Sequence, residues 1–348
     1  MRLKLLFIAS LAISLNTTKA FAIEFTLMSY NVENLFDIVH DEGKVDYAYL
    51  PLEVKRSMPE AMAHCRGERI PVYRAQCFNQ DWNDSVLSTK ITNISQVIKS
   101  LDSGNLPDIL VVQEVENLNV LQQLNERGGL SYQSVVLIEG DDQRGIDVGI
   151  LSKYPLAGEP KIHYIDKSRK IKTRGILEAK FHIENKVVAV FANHWPSQSN
   201  PDELRSLAAK KLLEVLPKAK ADVRIAAGDF NTNKNDSPHG INETLLKPKR
   251  GLYFVETNPN VKSFEAPNGS HWYQGKWDYL DRIFVDSKTA GNAEVNFRVH
   301  AKSFMMTERV LRNRNGTETI HQVPFRFIAD EQIGYADHLP ILATFKIR

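Results

Sequence analysis

Side chains able to do hydrolytic chemistry stand at the ends of apolar runs in this sequence. Leu27-Met28-Ser29-Tyr30 leads into Asn31, Ile109-Leu110-Val111-Val112-Gln113 into Glu114, and Ile225-Ala226-Ala227-Gly228 into Asp229, with Asn231 two positions on. Asp281 opens a further run, Asp337 and His338 precede the last one, and His194 follows Val187–Asn193. Taken singly, an Asn, a Glu or an Asp-x-Asn at such a place is an ordinary turn or capping group. Together, carboxylates and amides without a thiolate or histidine-rich cluster make a hard-oxygen set suited to Mg²⁺, Mn²⁺ or Ca²⁺ and not to a cysteine zinc site. The two histidines add acid–base capacity, because a carboxylate on one ring nitrogen fixes the tautomer and leaves the other nitrogen to handle a proton.

These residues need strands and helices to bring them together. Ile23–Tyr30, Asp108–Val112, Val135–Ile138, Val148–Leu151, Gly175–Ile183, Val187–Asn193, Arg224–Ala227, Arg282–Val285 and Ile341–Ile347 are short and mostly β-branched or aromatic, with turn residues nearby, which predicts strands. Helical spacing of apolar residues predicts helices over Ser85–Leu101 and Pro201–Leu216. Strand-like and amphipathic runs alternate to the end, so the pattern is one interleaved α/β domain over 23–348, with polar side chains gathered at strand ends as ligand sites in α/β sheets are. Residues 38–84 are weakly patterned and too long for an ordinary loop. They are expected to be an insertion carrying some helix and a cysteine loop.

The 348 residues, 43% hydrophobic and 25% charged, exclude collagen, coiled coil, a disordered chain and a disulfide-stapled miniprotein. Arg2 and Lys4, the apolar run Leu5–Leu15 and Ala20-Phe21-Ala22 read as a signal peptide over 1–22, too short to span a bilayer. Export to the periplasm or the medium is therefore expected. Without Arg2, Lys4 and Lys19, the 44 basic residues fall to about 41 against 42 acidic, so a polyanion would have to be held by a local cluster and not by bulk charge. The only two cysteines, Cys65 and Cys77, then fall in an oxidising compartment, where a local disulfide is expected.

Seven blocks carry a family resemblance. Ser-Tyr-Asn-Val-Glu-Asn-Leu-Phe-Asp (29–37), Gln-Glu-Val-Glu-Asn (113–117), Asp-Val-Gly-Ile-Leu-Ser-Lys-Tyr-Pro (147–155), Asn-His-Trp-Pro-Ser (193–197), Gly-Asp-Phe-Asn (228–231), Leu-Asp-Arg-Ile (280–283) and Asp-His-Leu-Pro (337–340) resemble, in order, the endonuclease/exonuclease/phosphatase superfamily. The leader, block 193–197 and the stretch 273–281 are most similar to its bacterial secreted DNase I-like nucleases. The resemblance implies a four-layer α/β sandwich, two packed mainly antiparallel sheets with helices outside and an active cleft at one edge. It also implies metal-dependent cleavage of a phosphate ester by an activated water.

Carried over by position, Glu114 corresponds to the principal metal ligand, assisted by Asn31, with Asp337 a further metal-proximal carboxylate. Asp229 and Asn231 would orient nucleophile and phosphate, or bind a second ion. His194 and His338 would share the general acid and base roles, with Asp281 the partner of His338 and Asp147 the nearest candidate partner for His194. Arg144, and less so Arg174 and Lys153, are placed to hold substrate phosphate. Trp272, Tyr273 and Trp277 suit a base-stacking platform, a packed loop or a membrane wedge, and Lys247, Lys249 and Arg250 read as a solvated loop. The expected activity is endonucleolytic, on DNA and also RNA, with low sequence preference and no stable membrane anchor. The competing readings are a sphingomyelinase or inositol-phosphate phosphatase with the same catalytic set, a binding module without turnover, and a toxin's nuclease subunit.

Overall fold

The computed structural model describes residues 22–101, 105–166, 168, 170–246, 254–256, 269–300, 305–310 and 319–348, of which 254–256 and 305–310 are described by their backbone alone. Residues 1–21 of the expected leader and the basic run Lys247, Lys249 and Arg250 lie outside them. The chain begins with β1 (Ile23–Leu35), followed by α1 (Leu52–Ser57), α2 (Pro59–Gly67), α3 (Pro71–Asn79) and α4 (Asp84–Lys99). Then come β2 (Ile109–Val115), α5 (Leu118–Arg127), β3 (Ser134–Leu137), β4 (Asp147–Ser152), β5 (Lys161–His163), β6 (Ile176–Ile183) and β7 (Lys186–His194). Next are α6 (Asp202–Val215), β8 (Val223–Asp229), β9 (Phe254–Glu256), β10 (His271–Tyr273), β11 (Lys276–Asp278) and β12 (Asp281–Asp286). The last elements are α7 (Ser287–Ala290), β13 (Ala293–Val299), β14 (Met305–Val310), β15 (Thr319–Pro324) and β16 (Ile341–Ile347).

Two six-stranded sheets form the centre, ordered β13-β16-β1-β2-β4-β3 and β5-β6-β7-β8-β12-β9. Only β1–β2 and β7–β8 are parallel, and every other pair within the two sheets is antiparallel. Period-two alternation decides which side chain goes where. Leu27, Ile109, Val111 and Ile150 of the first sheet meet Ala179, Val188, Val190, Ile225 and Ile283 of the second in one central core. The intervening residues Met28, Tyr30, Leu110, Val112 and Leu151 face outward and pack under α4 and α5. On the other side, Ala189, Phe191, Ala226 and Phe284 pack under Ala208, Ala209 and Leu212 of α6. The result is the expected four-layer sandwich, with both faces of each central strand buried and the backbone ladder satisfied within the sheets.

Most predicted elements stand within a residue or two of their observed ends. Helix α5 was not foreseen, because its apolar face is only Val120, Leu121 and Leu124. The signal that marks it is Asn117, whose side chain accepts from the Val120 amide. Strand β1 continues past the predicted end at Tyr30. Its pairing with β2 breaks after Asn31 and resumes at Leu35, with Glu33 and Asn34 in the left-handed region between.

The segment 38–84 holds α1, α2 and α3, and a disulfide between the buried Cys65 and Cys77 ties α2 to α3. Lys55 donates to the carbonyls of Gln80 and Ala48, and the Trp82 indole donates to the Phe36 carbonyl, fixing the segment to the end of β1. Closing a loop this short removes unfolded-state entropy worth about 3 kcal/mol. Cys77→Ala should therefore lower unfolding free energy by up to about that amount, read from urea denaturation with and without reductant. Loss of the disulfide with an unchanged midpoint would show that the segment needs no covalent tie.

Candidate active site

Strand register assembles the site before any side chain is considered. In the second sheet His194 of β7 and Asp281 of β12 both stand opposite Asp229 of β8, so the three form one row across neighbouring strands. In the first sheet Asn31 stands opposite Gln113, and Glu114 is left out of the ladder on both sides. β4 pairs Val148 with Gln113 and Asp147 with Val115, skipping it. Glu114 adopts φ 62°, the conformation of a bulged residue whose side chain is turned off the regular alternation. The β8 strand can lie against β7 here because residue 228 is glycine. At φ 144° a Cβ would come within 1.9 Å of the Asn193 carbonyl oxygen.

The two rows meet through one amide. Asn31 Nδ2 lies 3.2 Å from Asp229 Oδ2 and 3.5 Å from Glu114 Oε1, while its Oδ1 accepts from the Glu33 amide. The second Glu114 oxygen accepts from the Asn34 amide at 3.1 Å. Asp229 is held by Asn231, whose backbone N–H donates to Oδ1 at 2.8 Å and whose side chain donates to Oδ2 at 3.1 Å and to the Trp195 carbonyl. His338 Nδ1 is 2.7 Å from Asp281 Oδ2, which also accepts from the Ser270 hydroxyl at 2.7 Å. His338 Nε2 stands 3.9 Å from Asp229 Oδ2, and His194 Nε2 stands 3.7 Å from the same oxygen and 3.8 Å from Glu114 Oε1.

The two imidazoles are driven to opposite charge states. Burial first, then the positive charges of Arg174, Arg144 and His338, push His194 well below its ordinary value and keep it neutral. Burial would also lower His338, but Asp281, Asp229 and Asp337 outweigh it and hold that ring protonated. Asp229 is pushed up to about 7, mainly by burial and then by the charges of Asp281 and Glu114 against the opposing charge of His338.

Asn31, Glu114, Asp229, Asn231, His194, Asp281 and His338 therefore converge as expected. Asp337 sits on the flank, 3.9 Å from Arg326 and beside His271. Arg144 reaches the same edge, donating to Asn34 Oδ1 at 3.3 Å. Asp147 does not partner His194. Both its oxygens accept from the Gly140 amide, and His194 Nδ1 finds no hydrogen-bond partner among the described residues. The reason is register: Asp147 belongs to the first sheet opposite Val115, whereas His194 belongs to the second. Arg174 is an anchor, bonded to Asp142 and to the Trp195 carbonyl, and Lys153 is bonded to Asp108 and the Leu106 carbonyl.

Other contributors were missed. Ser270 orients Asp281, His271 packs its ring 4.5 Å from that of His338, and Glu33 pairs with Arg326 beside Asp337. None lies at the end of a strongly apolar run, so no pattern marks them. Trp272 and Trp277 face each other across the β10–β11 hairpin and pack edge to face, and Trp277 also contacts the central core. Of that cluster, Tyr273 is the exposed ring.

The donor set fits a hard divalent cation. Partly exposed Glu114 and buried Asp229 carry no lysine or arginine partner among the described residues; a neutral amide bridges them, and protonated His338 stands off from Asp229 at 3.9 Å.

Comparison with known proteins agrees. The model of the Endonuclease/Exonuclease/phosphatase family matches residues 73–346. The chain belongs to that family. Its members are in general metal-dependent hydrolases that cleave phosphodiesters or phosphate esters. A family protein from Bacteroides thetaiotaomicron is similar in structure at 14% identity and TM-score 0.54, over 94% of this chain and 99% of that one. SmcL is similar at 14% identity and 0.52, over 93% and 99%. Beta toxin from Staphylococcus aureus, solved with bound magnesium ions, is similar at 16% identity and 0.52, over 92% and 99%. Identities this low establish a shared fold alone. A search among curated proteins finds no sequence match.

Two outcomes follow for this family member. Gly228→Ala should lower unfolding free energy by about 3 kcal/mol or more, since the new methyl meets backbone of β7 and not a movable side chain. A wild-type denaturation midpoint would show that β7 yields freely. Asp281→Asn removes the main charge that raises His338, so the His338 titration, followed by NMR, should move to lower pH. An unmoved titration would mean that another group sets the charge of that ring.

Proposed function

We propose that this protein is an exported, divalent-metal-dependent endonuclease that hydrolyses DNA, and RNA as well, with low sequence preference. The observation that carries the hydrolytic reading is the convergence of Glu114, Asp229 and the Asp281–His338 pair at one edge of the sandwich. Glu114, flanked by Asp337, would hold the cation; Asn31, expected to assist it, turns its Nδ2 donor to Glu114 and Asp229 and its Oδ1 to the Glu33 amide, and so positions the two carboxylates. When bound, the cation supplies positive charge for the phosphoryl oxygens and the leaving group.

The chain's own groups divide the remaining work. Asp229, fixed from two sides by Asn231, orients the attacking water and receives its proton. His338, held protonated by Asp281, presents Nε2–H toward the same place and offsets the charge that builds on the phosphoryl group. Neutral His194 offers Nε2 as an uncharged hydrogen-bonding partner between Glu114 and Asp229. Two imidazoles driven apart in this way supply distinct acid and non-acid roles at one pH.

Two features favour a nucleic acid over a phospholipid. A cleft of about 720 Å³ includes Glu114 and Asp337 and carries Arg144, a cation bonded to the neutral Asn34 and suited to a backbone phosphate. Within the hairpin, Trp272 and Trp277 pack on each other instead of forming an exposed apolar wedge. Among the described residues no helix is long and apolar enough to cross a membrane. The export reading rests on the leader-like composition of residues 1–22 and on the Cys65–Cys77 disulfide.

Purified protein should nick plasmid DNA with Mg²⁺ and lose that activity in EDTA. Glu114→Ala and His338→Ala should each lower the rate at least about a hundredfold with unchanged circular dichroism. Release of phosphocholine from sphingomyelin without DNA cleavage would overturn the nuclease reading. An absence of turnover on any phosphate ester would overturn hydrolysis itself.

A further inference from the structure

The segment that departs most from a regular strand-and-helix pattern forms one side of the cleft. The cleft that includes Glu114 is lined by Glu33 and Asn34 of the β1 bulge and by Tyr49, His64, Tyr73 and Gln76 of the 38–84 segment. Its volume, about 720 Å³, exceeds what one water-bridged phosphate requires and lies in the range of pockets that enclose a small organic group.

That wall is rigid. The Cys65–Cys77 disulfide fixes α3 to α2, buried Lys55 bonds two backbone carbonyls, and Trp82 locks edge to face with both Tyr49 and Phe327. Tyr73, on the first turn of α3, is different. It lines the cleft yet is 53% exposed, next to Val72 at 66% and Ile70 at 49%. An exposed aromatic on a stapled helix is presented with little ordering entropy left to lose on contact. Arg144 lines the same cleft, and among the described residues its side chain has one hydrogen bond, to Asn34, so its guanidinium keeps donors for an anion.

We infer that the 38–84 segment is a substrate-recognition wall, on which Tyr73 stacks a nucleobase one or two nucleotides from the scissile phosphate while Arg144 holds the intervening backbone phosphate. This deepens the nuclease reading above and rests on it. A flat ring together with a phosphate-binding cation is the usual means of holding single-stranded or locally opened nucleic acid without reading its sequence, because every base has a stacking face. The same pairing would let a chain with almost no net charge retain a polyanion, because the contact is local.

The experiment compares two substrates, a single-stranded oligonucleotide and bis(4-nitrophenyl) phosphate, which has a scissile diester but no base or flanking phosphate. Tyr73→Ala should raise KM for the oligonucleotide about tenfold with little change in kcat, and leave hydrolysis of the small diester unaltered. Tyr73→Phe should restore the oligonucleotide KM, since stacking needs the ring and not the hydroxyl. An unchanged oligonucleotide KM in Tyr73→Ala would overturn the wall, as would equal losses on both substrates, which would mark a structural defect. If the wild-type protein cleaves the small diester but no nucleic acid, the nuclease reading fails and this inference fails with it. The two failures are thus distinguished by the wild-type measurement alone.

Discussion

One amide links the two halves of the site. Asn31 belongs to the first sheet, yet its Nδ2 reaches the Asp229 carboxylate of the second as well as Glu114 beside it. Buried Asp229 and partly exposed Glu114 approach from opposed sheets and repel each other; the amide between them is neutral, and protonated His338 stands only on the Asp229 side at 3.9 Å, so the Glu114 side calls for a cation. The face-to-face packing of the sheets supplies the force that holds them in place. The apolar side chains of the central core are worth far more in burial than the local electrostatic cost at its edge.

Backbone geometry at that edge is specialised on both sides. In the first sheet Glu33, Asn34 and Glu114 all occupy the left-handed region, and in the second Asn231 does, with Gly228 making room for β7. Each is a place where ladder pairing is interrupted or a strand ends. A regular strand would alternate its side chains between core and helix layers, both apolar in this sandwich. Only by breaking that alternation can Glu114 turn toward the cleft. The local strain is sustained because the strands behind it are locked by burial on both faces.

The histidines show how the same edge separates two chemically identical groups. His338 is tied to Asp281, itself fixed by Ser270, while His194 sits in the row without a carboxylate on its Nδ1 and near two arginines. The difference comes from which neighbours the topology delivers. β12 pairs with β8 so that Asp281 and Asp229 lie side by side, within reach of the segment that carries His338. Among the described residues no equivalent strand delivers an acid to the far side of His194.

Much of this was legible in the sequence because it is local. Period-two and helical periodicity report burial directly, so the central strands, α4 and α6 could be read from apolar spacing, and strand-end carboxylates stood out against apolar runs. Elements with thin apolar faces, such as α5, and orienting groups such as Ser270 and His271 left no such trace. The sequence alone determined which oxygen and nitrogen donors exist and that they sit at strand ends. The tertiary structure alone decided register and sheet membership, and these are pairing properties between segments far apart in the chain. They place Asp147 in the other sheet from His194, turn Glu114 out of its ladder, and set the disulfide-tied segment beside the cleft, none of which short-range periodicity can encode.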